Sequence, residues 1–406
     1  KGRPTCTPNL DKRRKPSEEG EQRMTAGCRT GSHKLHPLPL SRLAAGCLLL
    51  WTSALDVPAA CDADEVKPDE AVVFFPTCGH FDARQQAWIV PLHGWLFKPE
   101  QNSLGRRFAL GALRRALDLQ PTPDEEPVFA RRGGPFVVDN VDERELSVRM
   151  GDNFVLLEPS GENGHAFGTA RLPAALAAAV SRRGWVRYQA DAADRDQREF
   201  VGAALLLPPR GVSVISDVDD TIKITQIAER RELLNNTFLR PMEPVPGMVQ
   251  LYRRWAAEGA AFHYVTASPW QLYVPLEEFR AAAGFPAGTF DMALFRWKDR
   301  TVFNLFVDPD KLKETALETL LTTFPERQFL CVGDSGQHDP ELYAAMAREH
   351  PQQIIGIYIR NVTREAPDND RFRRVFAGLP PNLWRLFNDP VELNEVLIPA
   401  VPAKGR

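Results

Sequence analysis

Between Ala71 and Pro208 apolar residues recur in short runs broken by turn residues. The runs are AVVFFP (71–76), AWIVPLHGWLF (87–97), PFVVDN (135–140), NFVLLEP (153–159), HAFGTARL (165–172), WVRYQA (185–190) and EFVGAALLL (199–207). Each is rich in β-branched or aromatic side chains and bounded by Gly, Asn, Asp or Pro, the signature of strands. A helix over 101–119 is the one interruption. This pattern predicts a β-rich, sandwich-like domain over 71–208, closed by the Pro208-Pro209 pair at a natural boundary.

Beyond Gly211 the period changes. GVSVIS (211–216) reads as a strand, 247–258 as a helix stopped by Gly259, and AFHYVT (261–266) as a second strand. Ser268 and Pro269 suit the cap and first position of another helix. TVFNLFV (301–307) reads as a strand, and Asp308-Pro309 opens a helix carrying Leu312, Ala316, Leu317, Leu320, Leu321 and Phe324 on one face. QFLCVG (328–333), a helix over 340–348 and IIGIYI (354–359) complete the series. Strands alternating with helices predict the α/β class: a doubly wound parallel sheet over 209–406, covered on both faces.

The 406 residues exceed what a single core holds, which favours two domains plus extra segments. An apolar share of 43% and a charged share of 25% are ordinary for a globular protein and exclude disordered, collagenous and disulfide-scaffold classes. The net charge of −3 hides an asymmetry: residues 1–61 carry ten basic and five acidic side chains, leaving −8 for the remainder, a balance that argues against nucleic-acid binding. Four of the six cysteines (Cys6, Cys28, Cys47 and Cys61) lie in that upstream part, so neither a paired framework nor a CxxC metal site is available. Within 1–61 an aperiodic polar stretch precedes basic residues, the apolar run LAAGCLLLWTSAL (43–55) and the small-residue segment DVPAAC (56–61), the order of a secretory signal peptide. The apolar run is shorter than the roughly 20 residues of a membrane-spanning helix, so no transmembrane helix is expected in the mature chain. The expectation is an exported or periplasmic protein, membrane association included; a cytoplasmic chain with a misplaced start, and lipidation at Cys61, are the alternatives. Residues 62–70 form an acidic spacer.

Ligands of parallel sheets bind beyond the carboxyl ends of the strands. There the sequence places carboxylates where they cannot be hidden: Asp217, Asp219 and Asp220 in SDVDDTIKIT (216–225), Thr266 and Ser268 after the second strand, and Asp308, Asp334, Asp339 and Arg360 after the others. A helix cap accounts for any one of these carboxylates. A calcium loop starting at Asp217 fails, since Ile222 and Ala228 stand where Gly and Glu are needed. GDSG (333–336) lacks both the nucleophile-elbow pattern and a partner histidine. No GK[ST] phosphate loop stands near a strand end.

Taken together, D-x-D-x-T after one strand, Thr or Ser after the next, a lysine opening a later helix and G-D-x-x-x-x-D after another strand resemble the haloacid dehalogenase superfamily of phosphohydrolases. Within it, SDVDDTIKIT, YVTASPWQLY, KETALETLLTTFP, VGDSGQHDPELY and IYIRNVT resemble the catalytic domain of the actin-patch-associated phosphatidate phosphatase family, over about 208–400. VVFFPTCGHFD and HGWLFKPE resemble the N-terminal region of its bacterial-type members. The resemblance implies Mg²⁺ as cofactor, held by Asp217, Asp334 and the backbone carbonyl of Asp219, with Asp339 ordering the ion's water shell or orienting Lys313. It implies Asp217 as a nucleophile forming an aspartyl-phosphate, and Asp219 as acid and then base with a raised pKa. Thr266 and Lys313 would hold the phosphoryl oxygens; Ser268 competes with Thr266, and Lys311 with Lys313. Thr221, Lys223, Ser268 and Arg360 are candidate substrate contacts, with His338 nearby. The family's usual His before the lysine is Leu312 here.

The stretches 221–266 and 268–313 leave no room for an inserted cap domain, which implies an open site suited to a phosphate displayed on a phospholipid or membrane surface. Trp270, Trp297 with Lys298, and the flap over 224–239 are candidate contacts to that surface, with core packing as the alternative for the tryptophans. The expected activity is hydrolysis of phosphatidate to diacylglycerol and phosphate. Its alternatives are a phosphomonoesterase acting on a soluble or protein-linked phosphate, and a surface-binding protein with a vestigial hydrolase site. The oligomeric state is left open by the sequence.

Overall fold

Alternation of buried and exposed side chains builds the first half. In the computed structural model, which describes residues 65–99, 103–193, 196–294 and 309–399, its elements are β1 (Ala71–Phe74), β2 (Thr77–Asp82), β3 (Ala87–Lys98), α1 (Leu104–Ala116), α2 (Glu126–Gly133), β4 (Asp139–Asn140), β5 (Ser147–Met150), β6 (Asn153–Leu156), β7 (His165–Pro173), α3 (Ala174–Val180), β8 (Trp185–Ala190) and β9 (Phe200–Leu206). The nine strands join in one connected sheet of order β1-β3-β2-β9-β8-β5-β6, with β4 and β7 on β3. The expected sandwich-like domain takes the form of one connected sheet: the twelve-residue β3 pairs with β7 from Ala87↔Pro173 to Trp95↔His165, with β2 near its start and β1 near its end, and β2 in turn pairs in parallel with β9, which brings in β8, β5 and β6. In β9 every second residue is buried, so Phe200, Ala204 and Leu206 enter a core with Val90, Leu92, Val148, Val186 and Tyr188.

The single expected helix is joined by α2 and α3, and the expected strand at 135–140 is mostly a 3-10 turn over Gly134–Val137. Pro135 occupies the first turn of that segment, where its missing N–H costs nothing.

The second half comprises β10 (Val212–Asp217), α4 (Arg230–Phe238), α5 (Met248–Ala257), β11 (Ala261–Pro269), α6 (Tyr273–Ala283), β12 (Thr289–Ala293), α7 (Pro309–Thr323), β13 (Gln328–Asp334), α8 (Asp339–Glu349), β14 (Ile354–Arg360), α9 (Asp370–Val375) and β15 (Trp384–Phe387). Among the described residues its six strands are all parallel, in the order β12-β11-β10-β13-β14-β15. The central β10 is buried along its whole length, as a strand covered on both faces requires. One face sends Val212, Val214, Phe262, Tyr264, Leu330 and Val332 against Met248, Leu251 and Trp255 of α5. The other sends Ile215, Val265, Cys331, Ile357 and Ile359 against Leu317, Leu320, Leu321 and Phe324.

The halves share a core. Phe75, Trp95, Leu113, Phe129 and Phe136 lie in the same apolar cluster as the α5 face of the parallel sheet. The expected helix start at Ser268-Pro269 is overturned: β11 runs to Pro269, and α6 begins at Tyr273 after a short 3-10 turn. A bulge after Thr266 lets Pro269 pair with Ala293, which keeps the chain extended. The expected leader in 1–61, the strand over 301–307, and Trp297, Lys298 and Asp308 lie outside the described residues.

Candidate active site

The carboxyl ends of β10, β11, β13 and β14 converge on one buried group of charges. Asp217 ends β10 and Asp334 ends β13, its neighbour in the sheet. Asp339 starts α8. The carboxylates of Asp217, Asp334 and Asp339 are all buried and offer oxygens within 4.8 Å of one another. Lys313, on the second turn of α7, reaches in from the opposite side, with Nζ 2.8 Å from Asp217 Oδ1 and 2.6 Å from Asp339 Oδ1. At 3% exposure it is not a solvated lysine; Lys311 on the same helix is exposed.

The backbone is shaped for this convergence. A side chain at Gly333 would place Cβ 2.3 Å from Asp339 Oδ2, so glycine is required for Asp339 to approach β13. Asp339 Oδ2 then accepts from the Asp334 N–H at 3.2 Å. Gly336 N–H donates to Asp334 Oδ1 at 2.7 Å, and the Gln337 amide donates to Asp334 Oδ2 at 3.2 Å. After β10, Asp220 adopts φ 57° and its carboxylate accepts the N–H groups of Thr225, Gln226 and Ile227, closing the loop that carries Asp217 and Asp219. Arg360, at the end of β14, donates to the Asp220 carbonyl at 2.6 Å and ties that loop to the sheet.

Asp217 and Asp219, two residues apart, have different partners. Asp217 Oδ2 accepts from the Thr221 hydroxyl at 3.0 Å, and Lys313 is its cation. Asp219 has its own cation: Lys223 Nζ lies 2.8 Å from Oδ1, and both side chains are buried. Thr225 donates to the same oxygen at 2.8 Å, while Thr266 and Ser268 donate to Oδ2 at 3.0 and 3.2 Å. Burial pushes the Asp217 carboxyl well above the ordinary range; Lys313 opposes this, and the charges of Asp339, Asp334 and Asp219 reinforce it. Burial and Asp339 push Asp334 up to about 7 against the pull of Lys313. Burial works against the Lys313 ammonium, yet Asp217 and Asp339 more than reverse it and raise its pKa. Asp219 goes the other way, because Lys223, Thr225 and Thr266 outweigh its burial and lower its pKa. The expected raised pKa of Asp219 is therefore overturned: a buried ammonium keeps it ionised.

The donor set fits a hard divalent cation. Three buried carboxylates share one ammonium, which leaves negative charge that protonation or a cation must neutralise, and oxygen ligands suit Mg²⁺. The Asp219 side chain stays with Lys223 and is not among the three clustered carboxylates.

Of the candidate substrate contacts, Thr221 and Ser268 hold carboxylates, Lys223 holds Asp219, and Arg360 holds the loop backbone. Thr266 and Ser268 do not compete; both donate to Asp219. His338 is exposed and bonded to Asp310 at 2.6 Å, which raises its pKa. Trp270 is not at a lipid-facing surface: it is 6% exposed and packs against Phe75 and His93 of the β-rich half. Ser335 bonds to Thr363 at 2.8 Å, the role of the serine in GDSG.

Sequence reasoning passed over Thr225 and Gln337. Thr225 bridges Lys223 and Asp219, and its signal was the polar residue spaced two after Lys223. Gln337 touches both Lys313 and Asp334, and nothing in its sequence neighbourhood marked it.

The class that the fold and site define is a parallel-sheet α/β protein with acidic side chains and a buried lysine gathered at its strand ends. Residues 212–361, which hold these groups, match the family described as phosphatidate phosphatase APP1, catalytic domain. The chain is 32% identical over 169 residues to phosphatidate phosphatase APP1 of Saccharomyces cerevisiae, covering 40% of this chain and 28% of the relative. It is 29% identical over 180 residues to the uncharacterized protein C29B5.04c of Schizosaccharomyces pombe, covering 44% of this chain and 29% of the relative. The chain thus spans less than a third of the length of these curated relatives.

Proposed function

We propose that this chain is a Mg²⁺-dependent phosphatidate phosphatase with a haloacid dehalogenase-like catalytic half, releasing diacylglycerol and inorganic phosphate through an aspartyl-phosphate on Asp217. The observation that carries the reading is the buried meeting of Asp217, Asp334, Asp339 and Lys313 within the segment similar to that catalytic domain.

Asp217, Asp334 and Asp339 would hold the ion, with the backbone carbonyl of Asp219. When bound, Mg²⁺ neutralises charge on the phosphoryl group and lets an anionic oxygen approach it. Asp217 supplies that oxygen: its bond to phosphorus forms as the bond to the diacylglycerol oxygen breaks. Lys313, fixed by Asp339, would turn an N–H now directed at Asp217 or Gln337 to a phosphoryl oxygen. Asp219 gives the leaving alkoxide a proton and later takes one from the water that opens the aspartyl-phosphate. The ionised form that Lys223 favours suits the second task; for the first, the pair with Lys223 would loosen when substrate arrives and the carboxylate would take up a proton from solvent to pass to the alkoxide.

The open-site reading for a lipid phosphate rests on the connections. Among the described residues, α4 and α5 fill the span from β10 to β11, and α6 with β12 follow β11, with no inserted domain. Export through the segment at 43–61 accompanies this reading, and mass analysis of the mature N-terminus tests it.

Phosphate release from phosphatidate vesicles, compared with release from a panel of soluble phosphomonoesters in the same Mg²⁺ buffer, tests the substrate. The proposal expects preference for the vesicles and no turnover by Asp217→Asn on either. Preference for soluble esters removes the lipid assignment, and an active Asp217→Asn removes the nucleophile.

A further inference from the structure

Helix α1 carries four arginines, Arg106, Arg107, Arg114 and Arg115, and no acidic residue, within a chain whose residues from 62 onward carry a net −8. Its inner face is anchored. Leu113 is buried, and Leu110 packs on the cluster that holds Phe129, Phe136 and Phe238. Its outer face shows the reverse of what a solvated helix shows: Leu104 is 79% exposed and Phe108 74% exposed, one turn apart on the same side. Arg115 lies on that side too, with its guanidinium 6.0 Å from the Phe108 ring centroid. Arg107 is exposed on the flank. Arg114 is partly exposed and bonds to Glu126 at 2.7 Å.

We propose that the outward face of α1 is a docking surface for an anionic lipid bilayer, with Leu104 and Phe108 entering the acyl boundary and Arg107 and Arg115 at the headgroup level. Large apolar side chains beside arginines are the pattern of a helix that lies in a membrane interface. A nucleic acid offers the same negative charge and no hydrocarbon for Leu104 and Phe108, so lipid fits both halves of the pattern.

The position of α1 gives the docking a consequence. Its last residue, Ala116, and the segment that follows it to Gln120 face Arg231, Leu234 and Asn235 of α4 across a groove of about 540 Å³. The following helix is fastened to α4 as well: Arg132 of α2 donates to the carbonyls of Thr237 and Arg240, and Phe136 meets Phe238 edge to face. Helix α4 follows the loop carrying Asp217 and Asp219, so the end of α1 lies beside the flap next to the site. This use of the surface rests on the lipid-phosphatase reading; the binding itself does not.

Flotation of the full chain with vesicles free of phosphatidate separates the two. With equal parts phosphatidylcholine and phosphatidylglycerol the protein is expected to float, and with phosphatidylcholine alone to remain behind. The double variants Leu104→Gln with Phe108→Gln, and Arg107→Gln with Arg115→Gln, are each expected to bind about tenfold more weakly. Both pairs are exposed, so thermal midpoints and hydrolysis of a soluble phosphomonoester stay at the wild-type level. Equal flotation of wild type and variants, or no preference for anionic vesicles, overturns the proposal. Loss of a wild-type dimer in the apolar variant, seen by light scattering without any vesicle binding, also overturns it and makes the face a contact between copies. Vesicle binding without phosphatidate hydrolysis leaves the docking standing and rejects the substrate reading.

Discussion

Asp217 and Asp219 leave the same strand within three residues, yet their surroundings are built on opposite principles. Around Asp219 the charges balance: one carboxylate, one buried ammonium from Lys223 and three hydroxyl donors. Around Asp217 they do not: three carboxylates share Lys313. A buried pair that is complete needs nothing further, whereas a buried excess of negative charge is tolerated where a proton or cation can join it. The difference separates a self-contained polar network from one designed to take a ligand, and it can be read from pairing alone.

The sharpest way to break this comparison is to remove each lysine in turn. Lys313→Met leaves three buried carboxylates without a counter-charge and is expected to cost about 3–5 kcal/mol in urea unfolding without metal, with most of the loss restored by Mg²⁺. Lys223→Met strands Asp219 and is expected to cost about 3 kcal/mol that Mg²⁺ does not restore. Equal rescue of both, or of neither, would erase the distinction between the two networks.

A pH titration of stability in metal-free buffer tests the same contrast without mutation. Asp334 titrates near 7 in the fold against an ordinary 3.8, and Asp217 is raised too, so the folded state keeps protons that the unfolded chain has released. Stability contributed by these groups therefore falls as pH rises from about 4 to about 7. Asp219, whose pKa is lowered, contributes with the opposite sign, and its share is lost only as pH falls through its folded value below 3.8. Mg²⁺ is expected to flatten the first slope and leave the second. A smaller effect is expected from Thr225→Val, which removes one hydroxyl from the Lys223 and Asp219 pair and should cost about 1–2 kcal/mol, read from the urea midpoint at constant slope.

Much of the parallel sheet was legible because its strands are near-continuous apolar runs and its chemistry stands at their ends. The sequence pattern alone placed β10, β11, β13 and β14; Lys313 was preferred to Lys311 through the resemblance, whose spacing from the lysine to Leu317, Leu320, Leu321 and Phe324 it matches, and Lys313 is the one that is buried. The edge strands β12 and β15 escaped because TFDMA and WRLF are short and carry a charge. In the β-rich half β1, β3, β6, β7, β8 and β9 were legible, whereas the short β2 and β5 were not, and the assembly was not, since a long strand such as β3 chooses its partners by tertiary register. Within the site, the residue types were legible and their partners were not. Lys223 and Arg360 look like substrate-facing cations in sequence, and only the closure of the loop by Asp220 turns them toward Asp219 and the backbone.

Calorimetric titration of the metal-free chain with Mg²⁺ tests most directly whether the buried carboxylates form a cation site. The wild type is expected to bind one ion with saturable heat, Asp334→Asn to lose that binding while keeping its fold, and Lys223→Met to retain it. Undiminished binding by Asp334→Asn, or no binding by the wild type, would contradict the account.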